Sequence, residues 1–312
     1  MNVNINLAPH LGALWRGTGG EVAHRLRAWW YGFDLRSQAP PPEPEPEPAP
    51  DAVDTEPLDR LVLAQRLWGP GFLTPGGTDQ IMHLIKLFNV NPAMSLLDLS
   101  AGLGGPSRHV SQTFDVYITG LERQPDVAKR GNKASVDAGL ARKVPITAYD
   151  PETTELRAHA FDAVYAQHLT ATVGNKDRLF GEVLRSLKPR GQFSFIDLVQ
   201  LDGDASDPRL EALRRIERQP FLPWRVQQYV DCLTNIGFDC RISEDETTMY
   251  KAQVVRGWEQ FLMAQDLKAM PKHHVQVVLE EAELWVGRLQ AIQSGLLGVC
   301  RFYAVSTQRG VK

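Results

Sequence analysis

One run of sequence, residues 95–107, most constrains the fold, because it combines a buried strand, a glycine turn and the start of a helix. Its apolar residues 95–99 predict a strand of a parallel sheet, and Asp98 lies near the carboxyl end of that strand. Gly102 and Gly104 allow the backbone of the following turn to approach a ligand closely. The run therefore predicts a strand–turn–helix unit of an α/β fold with a ligand at the turn.

A second strand-like run, residues 115–121, ends at Glu122, about twenty residues after the glycines. A glycine turn with an acid at this distance is the pattern by which a βαβ unit holds a nucleoside. The backbone of the turn lies against the ligand, and the carboxylate accepts hydrogen bonds from both ribose hydroxyls. We therefore expect a cofactor that contains adenosine.

Two kinds of adenosine cofactor fit this geometry. A dinucleotide requires a third glycine and free amides at the helix start, but Ser107 occupies that glycine position and Pro106 lacks an N–H. Asp98 just before the turn would repel a pyrophosphate and would help to orient a cation. S-adenosylmethionine (SAM) is cationic and has no phosphate, so the sequence favours SAM, with a nicotinamide-dependent oxidoreductase as the alternative.

The turn resembles the D-x-G-x-G-x-G loop of class I SAM-dependent methyltransferases, with Ser100 where the first glycine is common. The preceding run, Trp68-Gly-Pro-Gly-Phe-Leu-Thr-Pro-Gly-Gly77, is similar to the segment ahead of this loop in small-molecule N-methyltransferases of the phosphoethanolamine and sarcosine/dimethylglycine type. There the segment closes over SAM and substrate, so the resemblance implies that Trp68 and Thr74 help to form a lid. Trp68 stands in place of the usual tyrosine, and Pro75 is an intrusion into the pattern.

Ligands of open α/β sheets lie beyond the carboxyl ends of the strands. Together with the resemblance, this rule predicts cofactor contacts from Asp98, Ser100, Gly102, Gly104, Glu122, Arg123, Asp150 and Gln167. Asp150 matches an acid on the adenine side, but an N-cap or an Asp-Pro turn explains it equally well. His168 follows the fourth strand, and both a catalytic base or substrate clamp and a purely structural role remain open for it.

Strand-like runs alternate with helical runs from residue 57 onward, and apolar strands of this kind are buried on both faces. They predict a doubly wound, mostly parallel seven-stranded sheet with helical insertions, the Rossmann-like fold of SAM methyltransferases; the strands are 95–99, 115–121, 144–149, 161–166, 192–199, 238–242 and 299–305. The elements at about 200–237 and 252–294 are expected to build the acceptor pocket. Their aromatic side chains are candidates for a cation–π box around an amine, with simple core packing as the alternative: Phe221, Trp224, Tyr229, Tyr250, Trp258, Phe261 and Trp285.

Three regions are expected along the chain. Residues 1–37 form an N-terminal segment, residues 38–56 a Pro/Glu-rich linker, and residues 57–312 the SAM-dependent methyltransferase domain. The repeated prolines of the linker exclude a helix and predict an extended polyproline spacer. Residues 21–35 form a basic amphipathic pattern that fits contact with a membrane surface or a partner protein, although folding back onto the domain explains it equally well.

Composition narrows the function further. The net charge of −3 argues against nucleic-acid binding, and the three cysteines have no metal-binding spacing. With no apolar run long enough to span a bilayer and no signal peptide, we expect a cytoplasmic protein that is at most peripheral to a membrane. The predicted activity is in-line methyl transfer from SAM to a small-molecule or lipid-headgroup acceptor at N or O; the alternative is a non-catalytic SAM-fold scaffold. The acceptor and the oligomeric state remain open.

Overall fold

The computed structural model describes residues 58–265 and 270–308. Its strands form one seven-stranded sheet with the order β3-β2-β1-β4-β5-β7-β6. The strands are β1 (Ser95–Asp98), β2 (Tyr117–Glu122), β3 (Ile146–Ala148), β4 (Phe161–Gln167), β5 (Leu187–Gln200), β6 (Phe238–Asp245) and β7 (Leu297–Ser306). The first five strands are parallel to one another, whereas β7 runs antiparallel to both β5 and β6.

Helices connect these strands and cover both faces of the sheet. They are α1 (Arg60–Trp68), α2 (Gly77–Ile85), α3 (Gly105–Phe114), α4 (Pro125–Asp137), α5 (Lys176–Ser186), α6 (Pro208–Ile216), α7 (Val226–Ile236), α8 (Thr247–Ala264) and α9 (Lys272–Gln293). Short 3-10 turns follow α2 at Lys86–Phe88 and β4 at Thr170–Thr172.

Alternation along the strands builds two separate cores. In β1, Leu96 packs with α1, α2, α8 and α9, while its neighbour Leu97 packs on the other face with α5 and α7. This follows from the period of two in a strand, which points successive side chains to opposite faces. Both leucines are buried, which explains why the central strands read as continuous apolar runs.

Strand order reverses between β1 and β4. Strands β2 and β3 lie on one side of β1, whereas β4 and β5 lie on its other side. At such a switch point the loops after the two central strands diverge and leave a crevice at the carboxyl edge of the sheet. The predicted doubly wound, mostly parallel seven-stranded α/β fold is confirmed.

Several element boundaries differ from the prediction, and the fifth and sixth strands are longer than predicted, at Leu187–Gln200 and Phe238–Asp245. The third strand is shorter than 144–149, because residues 149–154 form a turn organised by Asp150. The predicted insert at 252–294 is two helices, α8 and α9, and α8 begins earlier, at Thr247. The first helix begins at Arg60 because the Asp59 side chain accepts a hydrogen bond from Val62 N and caps it.

The predicted N-terminal segment, the linker and the basic pattern at 21–35 lie outside the described residues. Within residues 58–265 and 270–308, no helix has the length and apolar character needed to cross a membrane.

Candidate functional site

The loop between β1 and α3, residues 99–104 (the glycine loop), turns sharply beneath the end of β2. Ala101 N donates to Leu121 O at 2.9 Å, which fixes the loop against the neighbouring strand. Gly104 has φ of 79°, and a Cβ atom there would lie 2.4 Å from Ile146 Cδ1. The left-handed backbone conformation therefore favours glycine at this position.

Glu122, at the end of β2, is bonded directly to the glycine loop. Its Oε2 accepts from Gly102 N at 2.9 Å, and its Oε1 accepts from Gln124 N at 2.8 Å. Burial raises the pKa of Glu122, against the lowering effect of these backbone hydrogen bonds. The structure thus brings together the predicted acid and the predicted glycine, and the remaining lone pairs of the carboxylate can accept two further donors.

Asp98 is fully buried at the base of the same loop. Its Oδ2 accepts from Ser107 Oγ at 2.6 Å, and its Oδ1 accepts from Ser100 N at 3.0 Å. Burial raises the pKa of Asp98 to about 6. The carboxylate therefore ties the start of the loop to the first turn of α3, and any effect on a ligand acts through its charge and the loop rather than an exposed oxygen.

Ser100, the departure from the usual glycine, has a structural partner. Its Oγ accepts from Gln167 N at 2.7 Å and so links the glycine loop to the end of β4. The hydroxyl accepts the hydrogen bond of the Gln167 amide, and a glycine at position 100 would remove this acceptor. The structure therefore brings together Ser100 and Gln167, two of the residues predicted to contact the cofactor.

The segment before α2 lies directly on the glycine loop. Gly105 N donates to Gly71 O at 3.0 Å, and a Cβ on Gly105 would lie 2.6 Å from the carbonyl carbon and oxygen of Gly71. The Leu73 side chain covers Gly102 from above, 3.1 Å from where a Cβ would stand. Residues 71–73 thus make the contact expected of a lid, while Thr74 is half-buried beside them.

Trp68 lies deeper than a lid residue. Its ring packs against Gly257 of α8 and edge-on against Trp285 of α9, with the ring centroids 5.0 Å apart. The residue is buried, yet its Nε1 has no hydrogen-bond partner. Helices α8 and α9 thus enclose the Trp68 indole, whereas residues 71–73 contact the glycine loop; the lid role that the resemblance implies for Trp68 stays a prediction.

Asp150 and Arg123 make internal contacts at the edge of the crevice. The Asp150 carboxylate accepts from Glu152 N at 2.9 Å and from Thr153 Oγ1 at 2.8 Å, which is the turn-capping role left open by the sequence. The Arg123 guanidinium donates to Thr172 O and to Gln219 Oε1. Arg123 therefore joins the end of β2 to residues 217–224, on the expected acceptor side.

His168 follows β4 in a left-handed conformation with φ of 52°. Its ring lies 5.2 Å from that of Tyr250, which in turn lies 6.4 Å from Trp285. Trp68, Trp285, Tyr250 and His168 thus form a continuous aromatic row. Burial, with a smaller contribution from Arg288, lowers the pKa of His168 to about 3, and its Nδ1 is buried without a partner.

Two members of the predicted cation–π box already hold cations of the chain. Arg288 lies over the Trp285 ring at 4.9 Å, and Lys176 lies over Trp224 at 5.0 Å. The other predicted aromatics are core residues or pack against the core. These two rings are therefore not free to receive an amine.

Buried carboxylates gather at this edge of the sheet. Asp197 at the end of β5 is fully buried and accepts from Thr170 Oγ1 and Ala171 N, and burial raises its pKa as it does for Asp98 and Glu122. A negative edge of this kind disfavours a pyrophosphate and favours a cationic ligand. Among the described residues, no group of three or more His, Cys, Asp or Glu side chains is placed to hold a metal, and the three cysteines are free.

Several residues of the site escaped sequence reasoning. Leu73 and Tyr165 carry no recognisable motif, and Gln219 reaches Arg123 only because residues 217–224 cross the sheet edge. Gly71 has a signal in the sequence, since a Gly-Pro-Gly run marks a close backbone approach.

Comparison with known proteins agrees with this geometry. Residues 97–195, from β1 into β5, match the family model described as a methyltransferase domain. These residues are thus similar to the methyltransferase domain family. The match contains the glycine loop, Glu122 and His168, and the resemblance noted in the sequence is confirmed at this level.

Relatives of the methyltransferase domain differ in their acceptors. Phosphoethanolamine N-methyltransferase 1 of Arabidopsis thaliana is 25% identical over 186 residues, which cover 60% of this chain and 37% of that protein. Sterol 24-C-methyltransferase of Yarrowia lipolytica is 29% identical over 167 residues, covering 52% of this chain and 44% of that protein. The chain thus spans less than half the length of these relatives.

The fold is shared with a solved structure. Phosphoethanolamine N-methyltransferase 2 of Haemonchus contortus, in complex with S-adenosyl-L-methionine, superposes with a TM-score of 0.71 at 20% identity, covering 80% of this chain and 57% of that one. At this identity the likeness establishes the fold, and the acceptor must be argued from the residues of this chain.

Proposed function

We propose that this chain transfers a methyl group from SAM to a small-molecule acceptor. The observation that carries the proposal is the Glu122 carboxylate bonded to Gly102 N, which sets an acid of the second strand beside the glycine loop of the first. The loop, the acid and the buried carboxylates fit a cationic nucleoside, because ribose hydroxyls need an acceptor and a sulfonium or ammonium needs negative surroundings.

SAM, when bound, supplies a methyl group attached to a positively charged sulfur. In the transfer the acceptor's lone pair would form the new bond to the methyl carbon, and the sulfur would keep the electron pair of the broken S–C bond. We assign to Glu122 the binding of the ribose hydroxyls, and to the backbone at Gly102 and Gly104 the close approach to the ligand. Leu73 lies over the loop and would exclude water from it. Alignment and water exclusion are the contributions that a displacement of this type requires from the protein.

Calorimetric titration with S-adenosylhomocysteine and with NAD tests the cofactor. We expect S-adenosylhomocysteine to bind and NAD not to bind. In Glu122→Ala the hydrogen bonds from the ligand to the charged carboxylate are lost. The variant should therefore bind S-adenosylhomocysteine about 10- to 150-fold more weakly. Glu155→Ala, at an exposed glutamate on the same edge, is the matched control. Unchanged affinity in Glu122→Ala, or binding of NAD instead, would show that the cofactor assignment is wrong.

Transfer itself is tested with methyl-labelled SAM and a metabolite panel. Labelled product from an acceptor supports the enzyme, whereas cofactor binding without turnover on any acceptor would favour the scaffold alternative. A proton bound to the acceptor N or O must also leave, and His168, the candidate base after β4, would not hold that proton near neutral pH because burial lowers its pKa to about 3.

We further propose that residues 21–35 contact a membrane surface and bring a lipid headgroup to the site. The segment supports the proposal because Arg25 and Arg27 are followed by the adjacent Trp29 and Trp30. Flotation of the full chain with anionic liposomes should be lost in the Trp29→Ala/Trp30→Ala variant. Equal flotation of the variant and the parent, or no flotation of either, would remove the proposal.

A further inference from the structure

Residues 217–224, the crossing segment, connect α6 to α7 and are anchored at both ends. At the start of the segment, the two oxygens of Glu217 accept from Nε and Nη2 of Arg288 at 2.6 and 2.7 Å. Near its end, Leu222 N donates to Ala171 O at 2.7 Å. The crossing segment is therefore fixed to α9 on one side and to the 3-10 turn after β4 on the other.

The middle of the crossing segment is bonded to Arg123. Arg123 Nη1 donates to Gln219 Oε1 at 3.1 Å, and Nη1 and Nη2 donate to Thr172 O at 3.2 and 3.3 Å. Arg123 follows β2 and Thr172 follows β4, and these two strands flank β1 on opposite sides. The Arg123 side chain therefore reaches across the end of β1, at the crevice where the strand order reverses.

The groups that would bind a nucleoside in this crevice are covered. Residues 101–105 of the glycine loop and the start of α3 are buried, and the Leu73 side chain lies over Gly102. Glu122, the carboxylate assigned to the ribose, directly precedes Arg123 and is half-buried. A nucleoside that contacts both Glu122 and the glycine loop must therefore displace a covering group as it enters.

The hydrogen bonds of Arg123 break more easily than the anchors of the crossing segment. Their lengths exceed the usual value of about 2.9–3.0 Å, and both acceptors are neutral oxygens. Separating Arg288 from Glu217 would instead strand a carboxylate whose side chain is only 6% exposed. Arg123 and Gln219 are half-buried and can bond to water once they part. The crevice can thus open between them while both ends of the crossing segment stay in place.

We propose that Arg123, bonded to Gln219 and Thr172 O, is a latch across the crevice that opens to admit SAM and closes over the bound cofactor. The inference rests on the proposed function, since it describes how the cofactor enters the same site. A latch that is closed in the free protein limits association to the open fraction of molecules, and a latch that is closed over the ligand limits dissociation in the same way. The latch therefore slows both steps, whereas a side chain that only contacts the cofactor acts mainly on dissociation.

Surface plasmon resonance of S-adenosylhomocysteine on the immobilised full chain measures both rate constants. Gln219→Ala removes the acceptor on the crossing segment and should raise the association and dissociation rate constants together, each by about 5- to 10-fold. The affinity should change by less than about threefold, because the latch is closed in both the free and the bound protein. Gln227→Ala, at an exposed glutamine of α7, is the matched control and should change neither rate. Unchanged rate constants in Gln219→Ala, or faster dissociation alone, would overturn the inference.

Gln219→Glu tests the latch in the opposite direction. A carboxylate in place of the amide would form an ion pair with the Arg123 guanidinium, so both rate constants should fall by about 2- to 5-fold. Salt at about 1 M should remove this decrease, because the pair is half-exposed and is screened. A rise of both rate constants in Gln219→Glu would contradict the latch.

The variant Arg123→Ala removes all three hydrogen bonds and tests whether the two side chains act together. Because the Arg123–Gln219 bond is already absent in it, adding Gln219→Ala should change the rate constants no further, whereas independent effects would multiply. Melting transitions that match the parent show that the Gln219 variants fold.

The outcomes also separate the two proposals. Absent binding of S-adenosylhomocysteine by the parent chain contradicts the proposed function and the latch with it. Normal binding with rate constants that do not respond to the Gln219 variants contradicts the latch alone.

Discussion

Gly105→Ala tests the contact between residues 71–73 and the glycine loop. The new methyl group would stand 2.6 Å from the carbonyl carbon and oxygen of Gly71, and backbone atoms cannot rotate away as a side chain can. Overpacking of this kind costs about 1–3 kcal/mol. Loss of the 3.0 Å bond from Gly105 N to Gly71 O adds about 1 kcal/mol. The variant should therefore lose about 2–4 kcal/mol of unfolding free energy.

Chemical denaturation measures this change, and the melting temperature should fall by roughly 4–16 °C for a domain of this size. Gly181→Ala is the matched control, because Gly181 lies in α5 and a Cβ there would meet nothing within 4 Å. The control should gain up to about 1 kcal/mol from better helix propensity. A Gly105→Ala protein as stable as the control would refute the packing argument. Weaker S-adenosylhomocysteine binding by Gly105→Ala alone would tie that packing to the cofactor site.

Three further outcomes follow from the buried polar groups. The pKa of Asp98 is raised from 3.8 to about 6, so the folded state binds the extra proton between these values and its stability should rise by about 2 kcal/mol as the pH falls from 6 to 4; urea titrations of Asp98→Asn should lack this component. His168, with its pKa near 3, should show no NMR titration of its ring protons between pH 5 and 8, whereas a midpoint near 6.5 would contradict its burial. Ser100→Gly leaves Gln167 N without its 2.7 Å acceptor and should cost about 1–3 kcal/mol in denaturant, and an unchanged midpoint would show that the hydroxyl is dispensable.

The sheet was predictable because each central strand is buried on both faces. Residues 95–99 and 161–166 are mainly apolar, and the structure places both strands at the centre of the sheet. Strand ends were less predictable where side chains set them. The short β3 ends because Asp150 draws the following residues into a turn, a contact between side chain and backbone that periodicity does not report.

The contacts around the glycine loop could be predicted from the sequence, whereas the packing of α8 and α9 beside the sheet could not. The bond between Glu122 and Gly102 depends on local spacing within one βαβ unit, so the sequence contains it. The aromatic row joins α1, α8 and α9 with the residue after β4, and no local pattern links these elements. The pairing of Glu217 with Arg288 spans 71 residues and depends on how α9 packs beside α6.

Buried charges near the carboxyl edge of the sheet are balanced in two different ways. At the glycine loop, Asp98 and Glu122 accept hydrogen bonds from hydroxyl and backbone donors, and burial raises the pKa of both. Their ionised forms are therefore costly until a cation arrives, and a cationic ligand offsets that cost on binding. Arg288 of α9 and Glu217, which follows α6, instead neutralise each other, so neither side chain needs a ligand to offset the cost of its burial.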